Sequence, residues 1–104
     1  MKITRRQLRQ LINEAIDQDT VTLANAGLGL MHAYVNEGKD IAERKNRAFK
    51  TEKANKEFSK MRSSGSAIND KVGKIVLDSV TKMKKEEPNK FNDYVEIGKG
   101  ITIQ

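Results

Sequence analysis

The chain has 104 residues, and because two separate cores of half that length would each be marginal, we expect one domain spanning residues 1–104. Apolar residues make up 37% and charged residues 33%, which predicts a thin, aliphatic core, and the lack of cysteine excludes disulfides and thiolate metal sites. The formal net charge of +6 comes mainly from residues 39–62, which carry nine basic and four acidic side chains.

The first predicted element is a short amphipathic helix over residues 4–17. Thr4 and Gln7 have the spacing of a capping box, in which each side chain bonds the backbone amide of the other residue. The aliphatic residues that follow share one helical face: Leu8, Leu11, Ile12, Ala15 and Ile16. The segment lacks the continuous apolar stretch of a secretory signal peptide. It either docks on the core as an ordinary helix or acts as a separate docking or targeting segment.

A second helix is predicted over residues 20–36, with Asp19 or Thr20 as its cap. Gly27 and Gly29 lie inside it, and each glycine costs a helix about 1 kcal/mol relative to alanine. This cost indicates either a break or a close approach by another backbone, and the neighbouring alanines favour close packing. The apolar stretch within this helix is too short to cross a bilayer, so we expect no contact with a membrane.

Residues 39–62 predict a long, highly charged helix. Its apolar stripe is sparse and consists of Ile41, Ala48, Phe49, Ala54, Phe58 and Met61. Most of its circumference must therefore face water or a charged partner.

A further helix is predicted over residues 67–85, with Ser66 as its cap, and Pro88 marks its end because proline disfavours helical geometry in the preceding residue.

The C-terminal residues predict a β-hairpin over residues 94–104. Its strands would place alternating aliphatic side chains on one face, namely Val95, Ile97, Ile101 and Ile103. Because an isolated hairpin is marginal in water, these strands should pack on the helices or pair with another chain, which makes the four residues candidate assembly residues. The predicted fold class is therefore mainly α, with three to four helices and this C-terminal hairpin.

The residue types that carry catalysis are scarce. His32 is the only histidine, and its apolar neighbours predict a packed or hydrogen-bonded structural side chain rather than a catalytic one. The sequence contains no zinc-binding helix motif, glycine-rich phosphate loop or nucleophile elbow. We therefore expect no enzymatic activity, no cofactor, no metal and no small-molecule substrate.

The basic segment is a candidate contact surface for nucleic acid or another anionic partner. Its cationic residues are Lys39, Arg44, Lys45, Arg47, Lys50, Lys53, Lys56, Lys60 and Arg62. Several recur at three- or four-residue spacing, which aligns them along a helix where a phosphate backbone would be attracted. The alternative is a solvated helix face, in which the interleaved acids pair with these bases: Asp40, Glu43, Glu52 and Glu57.

The N-terminal segment adds a resemblance to a known family. It begins Met1-Lys2, is predicted to be helical, and ends with Ile12-Asn13-Glu14 followed by Ala15. An aliphatic residue, any residue, glutamate and then alanine at the end of such a segment resembles the capsid-targeting peptide of internal head proteins in large tailed phages. In that family the peptide directs a small basic protein into the prohead, and the prohead protease cuts after the glutamate. The resemblance covers residues 1–15 and implies recognition of Ile12 and Glu14, with the cut before Ala15.

Together with the scarcity of catalytic residues, this resemblance implies a non-enzymatic virion structural or assembly protein of a phage, located in the virion or the host cytoplasm. Such a protein would have protein partners or assemble with itself, and would contact packaged nucleic acid through the basic segment. The alternative is a small basic accessory or regulatory protein that binds nucleic acid.

Overall fold

The computed structural model describes residues 4, 5 and 16–101 of the chain. These residues contain four helices, which we name in chain order: α1 Gln18–Asn36, α2 Ile41–Ser64, α3 Lys71–Glu86 and α4 Pro88–Lys99. Of the described residues 82% are helical and none forms a strand, so the prediction of a mainly α chain is confirmed. Most of the helix predicted over residues 4–17 lies outside the described residues.

Aspartate side chains begin the first three helices. Asp17, Asp40 and Asp70 each accept a hydrogen bond from an amide of the following turn, at 3.2, 2.7 and 3.0 Å. Each carboxylate thereby satisfies an amide that has no partner within its own helix. The caps of α1 and α3 replace the ones predicted from sequence, so α1 begins two residues before its expected start and α3 four residues after it.

α1 forms the centre of the fold and packs against each of the other three helices. Its residues 24–29 are all buried. The buried apolar side chains of the core are Ala24, Ala26, Leu28, Met31, Ala54, Phe58, Met61, Ile68, Val76, Val80, Phe91 and Val95. They form two clusters, and Leu23, Leu30 and Leu77 pack against both of them. The core is aliphatic apart from two phenylalanines, as the composition predicts.

α1 and α4 run antiparallel, with their backbones in direct contact at two glycines. A Cβ atom on Gly29 would overlap the carbonyl oxygen of Tyr94, and one on Gly98 would overlap the carbonyl oxygen of Asn25. The two contacts are four residues apart along each helix, which is about one turn. Gly29 therefore marks a close backbone approach rather than a break, whereas Gly27 leaves room for the ring of Phe58.

The predicted C-terminal hairpin is wrong, because Val95 and Ile97 both lie in α4. Pro88 occupies the first turn of this helix, where the missing amide hydrogen costs nothing and the fixed φ is already helical. Phe91, Val95 and Gly98 then form the buried face at helical spacing. Packing against α1 thus overrides the alternating pattern that favours strands.

The three candidate assembly residues that the structure describes do not share one strand face. Val95 is buried, whereas Ile97 is 42% exposed on the outer side of α4. Ile101 lies just after the helix, and its amide donates to the carbonyl oxygen of Gly98 at 3.1 Å. Ile103 lies outside the described residues. Residues 94–101 of the predicted hairpin are therefore a helix followed by a turn.

Candidate functional site

The nine basic residues predicted as a contact surface divide by type. The three arginines bond to the protein itself, whereas all six lysines are exposed. The reason is chemical: a guanidinium group offers five donors in a planar fork and suits partly buried hydrogen bonding, whereas an ammonium group is more strongly hydrated. The arginines of the segment therefore contribute to the fold, whereas the lysines face solvent.

Arg62 points into the fold near the end of α2. Its Nη1 atom donates to the side-chain oxygen of Asn25 at 3.3 Å, the carbonyl oxygen of Gly98 at 3.3 Å and that of Ile101 at 2.9 Å. The last two oxygens lie at and just beyond the C-terminal end of α4, where positive charge is favourable. Arg62 thus links α2 to α1 and α4.

Arg44 and Arg47 bind the connection between α1 and α2. The Nε of Arg44 donates to the carbonyl oxygen of Gly38 at 2.7 Å. Arg47 lies over the Tyr34 ring, 4.7 Å from its centroid, and Nη1 donates to the Tyr34 carbonyl oxygen at 3.1 Å. It also pairs with Glu43 one turn earlier. These two guanidinium groups therefore hold the turn between the helices.

Four of the six lysines form a stripe along the outer face of α2, which we call the lysine stripe: Lys45, Lys53, Lys56 and Lys60. Phe49 lies between the first two, so that successive members are separated by four, four, three and four residues, the spacing of one helical face. The stripe is about 22 Å long, from the helical rise per residue. Lys39 and Lys50, also exposed, lie off this face.

The acidic residues of the segment are mostly directed away from the lysine stripe. Asp40 caps α2, Glu43 pairs with Arg47, and Glu57 accepts a hydrogen bond from the Asn69 amide at 3.0 Å. The remaining acid, Glu52, pairs with Lys56 at 3.6 Å. The acidic residues alternate with the basic ones in the sequence, but they do not neutralise the stripe. Lys45, Lys53 and Lys60 have no ion pair among the described residues.

Phe49 is the residue of this face whose position the sequence analysis missed. The helix was expected to place it on one apolar stripe with Phe58, but Phe58 is fully buried and Phe49 is 68% exposed. The two are nine residues apart, or two and a half turns, and so lie on opposite sides of a helix. That spacing is present in the sequence and could have shown that Phe49 belongs with the lysines.

An apolar groove of about 420 Å³ lies between α1 and α3. Its apolar lining comes from Leu30, Met31, Ala33, Tyr34, Val72, Ile75 and Val76. Glu37 and Lys50 also border it and are exposed. Ile75 is 66% exposed, so part of the lining faces solvent.

His32 is exposed on α1, and Asn36 Nδ2 lies within hydrogen-bonding distance of its Nε2 at 3.2 Å. The His32 side chain is therefore hydrogen-bonded, one of the two arrangements predicted from sequence, and is not packed in the core.

Within residues 4, 5 and 16–101, no three or more histidine or acidic side chains are grouped so that they could hold a metal ion. Ile12, Glu14 and Ala15, the predicted cleavage residues, lie outside the described part of the chain.

Comparisons of the chain with protein-family models, curated proteins and solved structures return no match. None of the helices in the described part of the chain combines the length and the apolar character that crossing a membrane requires. The outer face of α2 is the strongest candidate for a functional surface among the described residues.

Proposed function

We propose that the protein is a non-enzymatic nucleic-acid-binding protein and that the lysine stripe of α2 is its contact surface. The observation that carries the proposal is the separation of charge along this helix. All three arginines and three of the four acids bond within the fold, and four of the six lysines form a row on the outer face. A row of ammonium groups that faces water attracts a phosphate backbone and gains affinity by releasing its counterions.

The chemistry of the stripe favours contact with phosphates over recognition of bases. Direct readout of duplex sequence commonly uses arginine, whose fork bonds two atoms of a guanine edge. The arginines of this segment are already bonded to backbone and side-chain oxygens. Lysine acts as a point charge on phosphate, so we expect binding with little preference for base sequence.

α3 offers an internal comparison for this surface. It also has four exposed lysines on one face, namely Lys71, Lys74, Lys82 and Lys85. Asp78 lies at the centre of that face, whereas Glu52 lies at the edge of the lysine stripe and pairs with Lys56. A carboxylate in the middle of a row of cations repels a phosphate that approaches it, so the stripe on α2 is the better anion surface.

The test replaces the whole lysine stripe by glutamine in one variant and the four α3 lysines by glutamine in a matched variant. Both variants lose the same formal charge from exposed helical positions. Binding of a labelled oligonucleotide at low salt is expected to weaken by about tenfold or more in the α2 variant and much less in the α3 variant. Equal losses would assign the binding to overall charge, and a lack of binding by the unmodified protein would refute the proposal.

A second candidate function is a structural or assembly role in a phage particle, in the virion or the host cytoplasm. It is supported by the N-terminal resemblance and by apolar side chains that face solvent on separate helices, among them Ile41, Ile75 and Ile97 at 72, 66 and 42% exposure. Scattered apolar side chains are common on protein surfaces, so the contiguous apolar groove between α1 and α3 is the stronger support, because contiguous apolar patches mark sites of protein contact.

Two measurements test the assembly role. Light scattering over a range of concentrations should show self-association or, with capsid or tail proteins added, a mixed complex. Incubation with a prohead protease should cut between Glu14 and Ala15, and Glu14→Gln should block that cut. A chain that remains monomeric with all such partners and is not cut would contradict this candidate.

A further inference from the structure

We propose that the ligand of the lysine stripe is single-stranded nucleic acid and that Phe49 stacks on one of its bases. This inference rests on the proposed function and names the class of nucleic acid that the same surface takes. It depends on the position of one aromatic ring among the lysines.

Phe49 is 68% exposed, although phenylalanine is among the residues most often buried. The core of α2 is completed without it, by Thr51, Ala54, Phe58 and Met61 on the opposite face. No hydrophobic cluster of the described residues includes Phe49. Its ring therefore contributes to the surface of the protein rather than to the interior.

Phe49 has two lysines, Asn46 and Glu52 as its neighbours on the helix surface, and the Glu52 carboxylate pairs with Lys56. Lys45 lies one turn before it and Lys53 one turn after it, each about 6 Å along the helix axis. A ring with an ammonium group on either side can contact a base while both lysines contact the phosphates that flank that base. Aromatic stacking combined with a basic track is the common mode of sequence-tolerant binding to single strands.

A duplex does not offer the same contact, because its bases are already stacked and its outer surface presents phosphates. Extruding a base from a duplex costs several kcal/mol, whereas the bases of a single strand are accessible. A duplex should therefore gain from the lysines but not from Phe49. The difference gives a direct way to separate the stacking contact from the charge.

A membrane surface fits this face less well. Helices that lie in the membrane interface bury a wide apolar face in the lipid and keep the charged face in water. The apolar face of α2 is buried against α1 and α3, and the stripe offers the lipid one ring between lysines. Binding to anionic vesicles is therefore an outcome that the experiment must distinguish.

The experiment uses Phe49→Trp, because the natural chain contains no tryptophan and the variant therefore carries a single fluorescent reporter at this position. The probes are oligodeoxythymidine, oligouridine, a DNA duplex of equal length and phosphatidylserine vesicles. We expect stacking to quench the tryptophan fluorescence with both single strands, and much less with the duplex. High salt should reverse the quenching.

Affinities of Phe49→Ala and Phe49→Leu complete the test. Both should bind the single strands about 5- to 100-fold more weakly than the unmodified protein, and Phe49→Trp should bind at least as well. The affinity of all three variants for the duplex should stay within about twofold of that of the unmodified protein. Ile75→Ala is the matched control, since this residue is 66% exposed and lies one turn after the exposed Lys71 but is aliphatic. It should leave every affinity unchanged.

The possible results separate the two proposals. If Phe49→Ala binds single strands normally while the glutamine variant of the lysine stripe does not, the stacking inference is wrong and the proposed function stands. If Phe49→Leu retains the affinity for single strands, or if vesicles change the fluorescence of Phe49→Trp as strongly as single strands do, the contact is hydrophobic and the inference is again wrong. If the unmodified protein binds no nucleic acid at low salt, both proposals fail.

Discussion

Gly29 in α1 lies directly against the backbone carbonyl oxygen of Tyr94 in α4, where no side chain could fit between the two helices. The reciprocal contact, between Gly98 and the carbonyl oxygen of Asn25, lies one turn away. Together these contacts fix both the distance and the register of α1 and α4. Helix α4 is therefore an integral part of the fold, and its position depends on the absence of a side chain at Gly29 and Gly98.

The close approach predicts the effect of Gly29→Ala on stability. Alanine raises helix propensity by about 1 kcal/mol, but its Cβ would force α1 and α4 apart, and overpacking typically costs about 1–3 kcal/mol. We expect a net loss in the free energy of unfolding, measured by urea denaturation.

Gly100→Ala is the control for this substitution. Gly100 has a φ of −81° and would place a Cβ atom in ordinary contact, 3.6 Å from the Ile97 carbonyl oxygen. Alanine there should be neutral or stabilise by about 0.4–1 kcal/mol, through the unfolded chain. Equal stability of Gly29→Ala and the unmodified protein would show that the helices do not approach so closely.

Two alanine substitutions distinguish the observed helix α4 from the hairpin expected from sequence. In a strand, Val95 and Ile97 would share a face, and replacing either one by alanine would lower the free energy of unfolding by a similar amount. In α4, Val95 is 6% exposed and Ile97 is 42% exposed. Val95→Ala should therefore cost roughly 1–3 kcal/mol of unfolding free energy, and Ile97→Ala well under half of that. Thermal unfolding followed by far-UV circular dichroism would measure both, and equal losses would argue for a strand.

Arg62 and Lys60 are close in sequence but should respond oppositely to the same substitution. Arg62→Met removes the donor to the Asn25 side chain and to the Ile101 carbonyl oxygen, and one of the donors to the Gly98 carbonyl oxygen, which should cost about 1–3 kcal/mol of stability. Lys60→Met removes an exposed charge and should change stability by less than about 0.5 kcal/mol. Only the lysine variant should weaken nucleic-acid binding at temperatures where both are folded. Urea denaturation and oligonucleotide titration of the same samples would measure this, and the reverse pattern would contradict the assignment.

The dependence of binding on salt gives the number of phosphates contacted. Each contact with a single strand contributes about 0.7 to the slope of log K against log salt, so four lysines predict a slope of about −3. The glutamine variant of the lysine stripe should have a slope near zero. Titrations of oligodeoxythymidine at several potassium chloride concentrations would provide the values. A slope that is unchanged in the variant would place the contacts elsewhere on the protein.

The helices of residues 18–86 could be predicted from sequence because each carries its own signals. Apolar spacing, aspartate caps and Gly65, which ends α2 with a φ of +72°, act within a few residues of one another. α4 could not be predicted in the same way. Val95 and Ile97 favour strands locally, and the contact of Gly98 with Asn25 lies on a helix more than seventy residues earlier.

The candidate site was likewise predictable from the sequence only in part. The exposed positions of Lys45, Lys53, Lys56 and Lys60 follow from helical spacing, and the outward position of Phe49 could have been read from its distance to Phe58. The inward position of Arg62 could not, because its acceptors come from α1 and from the end of α4. Residue type alone therefore overstates the basic surface, by counting guanidinium groups that hold the fold together.

The division of α2 into inward arginines and outward lysines makes surface charge and folding chemically separable. Acetyl transfer modifies the ammonium group of lysine, whereas the guanidinium group is not its target. Acetylation of the lysine stripe would thus remove its positive charge in place, while the hydrogen bonds of Arg44, Arg47 and Arg62 would persist. Affinity for an anionic polymer could then be adjusted in a folded protein, without degradation or a change in shape.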